Sequence, residues 1–269
     1  PYALLGPQVV GTRALVRAWL PEARSARIAG AGAMVKAGPP GMFCWEGPAA
    51  ALPRAYRIVW TDAGNDEHSE LDPYAFRWSL PVSDLEGFAA GTHNRLYDCL
   101  GARPARIDGT PGFTFAVWAP NAERVSVVGD FNAWDGRRHP LEAQGTSGVW
   151  CIFLPELDAG ACYKFEIRPR GGDSIVLKSD PFARGFELRP KSSSVLVGPT
   201  TYEWGDGKWM TDRRAIDWST TPLSVYEIHL GSWQRDGSEW LDYATLARRL
   251  ARHVKALGFT HVELLPVME

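Results

Sequence analysis

The stretch from Phe113 to Phe182 constrains the fold most. It falls into short pieces rich in β-branched and aromatic residues, each bounded by Gly, Pro, Asn or Asp: Phe113-Thr-Phe-Ala-Val-Trp-Ala-Pro-Asn121, Val125-Ser-Val-Val-Gly129, Gly148-Val-Trp-Cys-Ile-Phe-Leu-Pro155, Tyr163-Lys-Phe-Glu-Ile167 and Ser179-Asp-Pro-Phe182. Short antiparallel strands read this way, and five or so at this spacing predict a small β-sandwich.

The first ninety residues repeat the pattern in weaker form. Trp19-Leu-Pro21 and Gly30 precede Trp118-Ala-Pro120 and Gly129 by 99 positions. Gly41 to Pro48 and Tyr56 precede Gly148 to Pro155 and Tyr163 by 107, and Asp72-Pro-Tyr74 precedes Asp180-Pro-Phe182 by 108. Turn residues and strand aromatics coincide in the same order, which predicts two related sandwiches. The offset jumps by eight between Gly129 and Gly148, so the second copy carries an insertion around Phe131–Trp134 and Arg137–His139. Residues 1–90 are therefore read as one domain, 91–107 as a linker and 108–200 as a second sandwich. Gly30-Ala-Gly32 lacks the third glycine and following helix of a dinucleotide loop and is read as a turn.

After Pro199 the pattern changes. Tyr202 to Trp218 reads as a loop, followed by a strand at Ser224–Leu230. Asp242 can cap a helix whose Leu246, Leu250, Val254 and Leu257 share one face, with Gly258 as its stop. A second strand, His261–Val267, follows directly. Strand, helix and strand with short connections predict a βαβ unit in a parallel sheet. Two strands and one helix cannot close a core, so residues 201–269 are expected to open a larger α/β domain that runs on beyond Glu269.

Composition narrows the function. A length of 269 residues leaves room for about two domains. Hydrophobic residues at 45% support a packed core. A net charge of −2 provides no basic field for nucleic acid or anionic lipid, and no apolar run is long enough for a membrane helix. Cys44, Cys99, Cys151 and Cys162 form no CxxC pair and have no His partner at zinc spacing, so free thiols in a reducing cytoplasm are expected, with no metal and no cofactor. The composition stands out in its twelve tryptophans.

Several motifs carry a family resemblance: Trp118-Ala-Pro-Asn-Ala122, Gly129-Asp-Phe-Asn-Ala-Trp134, Tyr163-Lys-Phe165, Lys178-Ser-Asp-Pro181, Val225-Tyr-Glu-Ile-His-Leu-Gly-Ser-Trp233 and Leu257–Glu269. In these the chain resembles the N-terminal portion of the bacterial glycogen branching enzymes of the α-amylase superfamily. The resemblance implies a mainly β fold: two tandem immunoglobulin-like β-sandwiches, the second of glycogen-binding type, followed by the first βαβ unit of a truncated (β/α)8 TIM barrel. It also implies the reaction, in which an α-1,4-glucan segment is transferred to form an α-1,6 branch. The partner would be glycogen or another α-1,4-glucan.

Such retaining chemistry needs a nucleophilic carboxylate and an acid/base roughly 5 Å apart. In this family they follow barrel strands four, five and seven, and this chain reaches only strand two. Glu227, Glu263 and Glu269 match no catalytic position, so no catalytic residue is assigned and the chain alone is expected to be inactive.

The expected sugar contacts lie in the second sandwich. Trp134 sits in a turn where a large ring has little core to enter, and its face can stack on a glucose unit. Lys164 on a strand and Asn132 beside Trp134 can donate hydrogen bonds to hydroxyls. In related modules a Trp and a Lys at the Trp134 and Lys164 positions contact glucan. The second platform Trp of those modules is missing, since Gly172–Lys178 contains none. Trp19, Trp118 and Trp150 are read as core or packing residues. Two alternatives stand beside the branching reading: a debranching or trehalose-releasing hydrolase of the same superfamily, and a non-catalytic glycogen-binding protein.

Overall fold

The computed structural model describes residues 1–172, 174–199 and 202–267, in two compact units, 1–200 and 201–269. The fold is mainly β. In the first unit, β1 (Gly6–Val10), β2 (Arg13–Trp19), β3 (Ala23–Ile28), β4 (Gly32–Lys36), β5 (Met42–Pro48), β6 (Arg57–Asp62) and β7 (Glu67–Leu71) form a seven-stranded sheet in the order β1-β2-β5-β4-β3-β6-β7. It curls around Val16, Ile28, Phe43, Trp45 and Ile58 from strands in both halves of the sheet, and Tyr56 just before β6. Burying each such side chain contributes about 1.5–3 kcal/mol. Gly30 takes φ +77° in the β3–β4 turn, the left-handed conformation glycine adopts most readily.

A helix α1 (Val82–Ala89) and a single turn α2 (Leu96–Cys99) follow. Then come β8 (Gly101–Ile107), β9 (Thr110–Trp118), β10 (Ala122–Gly129), β11 (Glu142–Ala143), β12 (Val149–Pro155), β13 (Cys162–Pro169), β14 (Val176–Lys178) and β15 (Ser194–Val195). One sheet runs β11-β12-β9-β8. The other runs β10-β13-β14, with β15 also beside β13. Both enclose a core that includes Phe115, Val127, Ile152, Leu154, Tyr163 and Phe165.

Seven strands correspond, β1 with β8 through β7 with β14, and their pairings match except at one place; among the described residues β15, beside β13, has no counterpart in the first set. In the first set β4 pairs with both β5 and β3 and joins the halves into one sheet. In the second, β11 has two residues and pairs only with β12, so the sheets stay separate. The inserted loop, residues 130–141, lies directly before β11. The offsets of 107 and 108 correspond to two buried tyrosine–aspartate pairs. Tyr56 donates to Asp72, and Tyr163 donates to Asp180 at 2.6 Å. Each aspartate also accepts the backbone N–H two residues on, from Tyr74 and Phe182, which fixes the Asp-Pro turn.

The region between the sets differs from expectation. Residues 101–107, assigned to a linker, form β8, paired with β9 from Gly101↔Ala116 to Ile107↔Thr110. Gly101-Ala-Arg-Pro-Ala-Arg106 lacks the β-branched and aromatic content of a strand. It pairs because it is an edge, where Pro104 is tolerated. Residues 76–100 pack on the outer face of the β9–β12 sheet, with Leu80 and Leu100 against Ala116, Val149 and Cys151. Phe76 meets Phe153 edge-on at 5.4 Å. With both faces covered, β12 reads as a continuous apolar run. Trp118, read as a core or packing residue, is not core: it is 52% exposed at the strand end, points away from the sandwich interior and packs edge-on against Phe88. Among the described residues, all four cysteines are unpaired.

The second unit contains α3 (Gly207–Asp212), β16 (Val225–Ile228), α4 (Leu230–Trp233), a hairpin of β17 (Arg235–Asp236) and β18 (Glu239–Trp240), α5 (Tyr243–Leu257) and β19 (His261–Leu264). β16 and β19 are parallel, with Val225 opposite His261. Asp242 caps α5 by accepting the Thr245 N–H at 2.8 Å, and Gly258 ends it at φ +78°. Leu246 and Leu250 pack on Ile228, with Val254 beside them. Leu257, expected on the same face, is exposed in the last turn. Among the described residues no helix is long and apolar enough to cross a membrane.

Candidate functional site

The inserted loop begins where β10 ends. A single 3-10 turn, Asp130–Asn132, leads into two consecutive left-handed residues, Ala133 at φ +52° and Trp134 at φ +61°. Neither is glycine, so each carries a backbone cost of roughly 1 kcal/mol that its surroundings must offset. The Trp134 N–H donates to the Gly129 carbonyl at 3.1 Å. Its indole Nε1 donates to Asp130 Oδ1 at 3.2 Å, and Asp130 Oδ2 accepts the Cys162 N–H at 2.8 Å. Asp130 thus ties the indole to the first residue of β13 and leaves the ring 37% exposed.

Along β13, Tyr163 and Phe165 point into the core, so Cys162, Lys164 and Glu166 take the outer face. Lys164 pairs across from Val128, at the same end of the β10–β13 pair as Trp134. Its Nζ donates to Ser192 Oγ at 2.8 Å. The structure therefore brings the predicted ring and the predicted cation to one end of one sheet. Sequence reasoning missed their supports, Asp130 and Ser192. The Asp in Gly-Asp-Phe-Asn was a readable signal for the first; nothing in Lys191-Ser-Ser-Ser194 marked the second.

Asn132 does not belong to the site. It is 2% exposed, and its amide is fully used inside the loop. Oδ1 accepts the Gly129 N–H at 2.9 Å, while Nδ2 donates to the Val127 carbonyl and to His139 Nδ1, both at 2.9 Å. A buried amide with its hydrogen-bonding capacity committed this way has nothing to offer a sugar. His139 is the acceptor in this staple. Burial, aided by the neighbouring Arg138, drives its imidazole down to about 3, so the ring is neutral.

The far side of the loop faces the first strand set. Tyr74 Oη donates to the Arg138 and Pro140 carbonyls at 3.3 Å. The Arg138 guanidinium donates to both oxygens of Glu70 at 2.8 and 2.9 Å and lies over the Trp60 ring at 5.5 Å. Arg137 pairs with Asp135 at 2.8 Å and covers Trp19 at 4.7 Å. A cleft beneath the loop, lined by Trp60, His68, Asp135 and Arg138, holds about 100 Å³. Small-molecule pockets run to roughly 300–1,000 Å³, so the open face of Trp134 is the better candidate for a sugar. A shallow groove of about 450 Å³ beside Pro104, Phe113 and Leu157 carries neither Trp134 nor Lys164.

One further cluster joins Asp84, His93 and Cys99. Cys99 Sγ lies 3.4 Å from Asp84 and 3.5 Å from His93 Nε2, and Arg95 N–H donates to His93 Nδ1 at 3.1 Å. That bond leaves the neutral ring protonated on Nε2, which faces Asp84, while burial and Asp84 push the thiol up to about 11. The three groups satisfy one another as a clasp between α1 and α2. Of the carboxylates weighed for catalysis, Glu227 and Glu263 are exposed and opposite one another in the β16–β19 register, and Glu269 lies outside the described residues.

Comparison with known proteins bears on this geometry. Residues 99–183 match the family Carbohydrate-binding module 48 (Isoamylase N-terminal domain), the stretch that holds both Trp134 and Lys164. The match opens next to β8 rather than at 108. Over its whole length the chain is similar to bacterial 1,4-alpha-glucan branching enzymes. It is 47% identical to the GlgB of Methylococcus capsulatus and of Nitrosococcus oceani, spanning 37% and 36% of those proteins. It is 45% identical to the GlgB of Rubrobacter xylanophilus, again with all of this chain aligned, against 37% of that protein. The chain thus resembles the N-terminal part of the bacterial branching enzymes and spans little more than a third of the length of these curated relatives.

Proposed function

We propose that this chain serves as the N-terminal part of a glycogen branching enzyme, which transfers α-1,4-glucan segments into α-1,6 branches. Identity of 47% along the whole chain carries this reading. In it, residues 1–90 and the strands from Gly101 to residue 200 are tandem immunoglobulin-like sandwiches. Residues 201–269 begin a (β/α)8 barrel whose catalytic acids lie further along. The parallel β16–α5–β19 unit supports that assignment, as do the exposed Val225, Val262 and Leu264, apolar side chains that further barrel elements would cover. The working compartment is the cytoplasm, consistent with the free cysteines.

Within this reading the second sandwich holds glucan, with Trp134 as the stacking platform and Lys164 as hydrogen-bond donor. The platform rests on one observation, an indole held half-open in a strained turn by Asp130. The test compares the chain with Trp134→Ala on a glycogen affinity gel and by thermal melting. Weaker retention with little change in melting is expected, and Lys164→Ala should act in the same direction more mildly. Unchanged retention with lowered melting would overturn the platform. The matched family is described by isoamylase, so a debranching hydrolase is the second reading; the linkage formed by the complete protein separates the two.

A further inference from the structure

We propose that the first strand set positions the sugar-facing loop of the second, and that Glu70, through Arg138, is a positioning residue for Trp134. The inference rests on the reading of Trp134 as the platform.

The loop has two independent anchors. On its own side, Asp130 holds the indole and the Asn132–His139 staple closes the base. On the other side, among the described residues, the loop's hydrogen bonds and cation–ring contacts to the first strand set fall between Arg137 and Pro140. These are the Tyr74 hydroxyl on two carbonyls, Arg137 over Trp19, and Arg138 gripped by Glu70 beneath Trp60. Between Trp134 and Arg138 the chain is stiffened internally. Asp135 accepts from the backbone N–H and the guanidinium of Arg137, and Arg138 N donates to the Asp135 carbonyl at 3.1 Å. A displacement at Arg138 therefore passes along a short, cross-braced segment to two residues held in left-handed conformation. Such strain persists only while the surroundings over-determine it.

Among the ion pairs joining the strand sets, Glu70–Arg138 is the one built to hold a geometry. Its side chains are 33% and 22% exposed, the most covered of the three pairs, and one guanidinium nitrogen reaches both carboxylate oxygens. Arg57–Glu156, where one nitrogen also reaches both oxygens, and Arg54–Asp108 are more open, and exposed pairs of that kind constrain little. The first copy has no counterpart of this loop, since β4 occupies its place. The insertion thus provides a platform on the second strand set and a handle for the first.

The test uses the full 269-residue chain and glycogen affinity gels, run well below each variant's melting temperature. Glu70→Gln keeps the packing and removes the charge; Arg138→Lys keeps the charge and loses the planar guanidinium that lies over Trp60. Each should weaken retention about 3- to 10-fold, the range of couplings transmitted through packed networks. Combined with Trp134→Ala, neither should weaken it further, because both act through the same ring. A merely structural role would lower the melting temperature without this non-additivity. Retention unchanged in Glu70→Gln, while Trp134→Ala weakens it, overturns the inference and leaves the platform standing. Additive losses in the double variants also overturn it. Unchanged retention in Trp134→Ala removes the platform, and the inference with it.

Discussion

Trp134 and Asn132 stand two positions apart in one turn and have opposite fates. The indole is half-open and held by one aspartate, whereas the amide is buried and spends its polar atoms on the loop itself. Asn132→Ala should therefore cost stability where Trp134→Ala does not. It leaves the Gly129 N–H and the Val127 carbonyl without partners, at about 1–3 kcal/mol each, and a clear drop in melting temperature is the expected reading. His139 adds a pH dependence. Its folded pKa lies near 3, below the ordinary 6.5, so between these values the unfolded chain binds the extra proton. The stability it contributes is complete above about pH 6.5 and is lost as pH falls toward 3. Asp72 has the opposite sign. Burial raises its carboxyl to about 6, so its contribution is complete below about pH 3.8 and lost as pH rises through 6. The melting advantage of the parent over His139→Gln should shrink steadily from pH 6.5 to pH 3. An advantage that stays constant with pH would mean that His139 does not remain neutral in the folded loop.

At the scale of elements, α5 shows how far local signals reach. Asp242 at the cap, Gly258 at the stop and the Leu246–Leu250–Val254 stripe were all legible, because capping and helical spacing act within a few residues. Asp242→Ala should remove about 1 kcal/mol from the helix. It should appear as faster amide hydrogen exchange in the first turn of α5, at Thr245 and Leu246, with slower residues in the strand sets unchanged. Protection unaltered at those amides would mean that the cap contributes nothing. β8 shows the limit of local signals. Apart from Ile107 its residues carry little strand propensity, and pairing with the neighbouring β9 makes them a strand.

At the scale of the whole molecule, the described residues fall into a β-rich unit and a smaller α/β unit, and the proposed catalytic acids belong to neither. The 269-residue chain, incubated with amylose, is expected to leave both the iodine complex and the reducing ends unchanged. A robust change in either, with contaminating enzyme excluded, would overturn the assignment of catalysis to segments beyond these strands.

Although the pairing of each repeat tyrosine with its aspartate was found only in the fold, the repeat, its turns and the place of the insertion were written in the sequence. Each is set by turn chemistry and by an alternation that survives when individual residues change. The βαβ unit was legible for the same reason, through period and caps. The positions of Trp134 and Lys164 on a common strand end followed once the β10–β13 register was set. Which side of a polar turn faces water was not legible. Phe-Asn-Ala-Trp reads alike whether the amide or the ring points outward; the choice depends on a buried histidine seven residues away and a carbonyl in β10. The clamp of Glu70 on Arg138 was equally hidden, because it joins residues 68 positions apart. Hydrogen-bond satisfaction and contacts between distant segments arise only when the chain is folded, and the tertiary structure alone decided them.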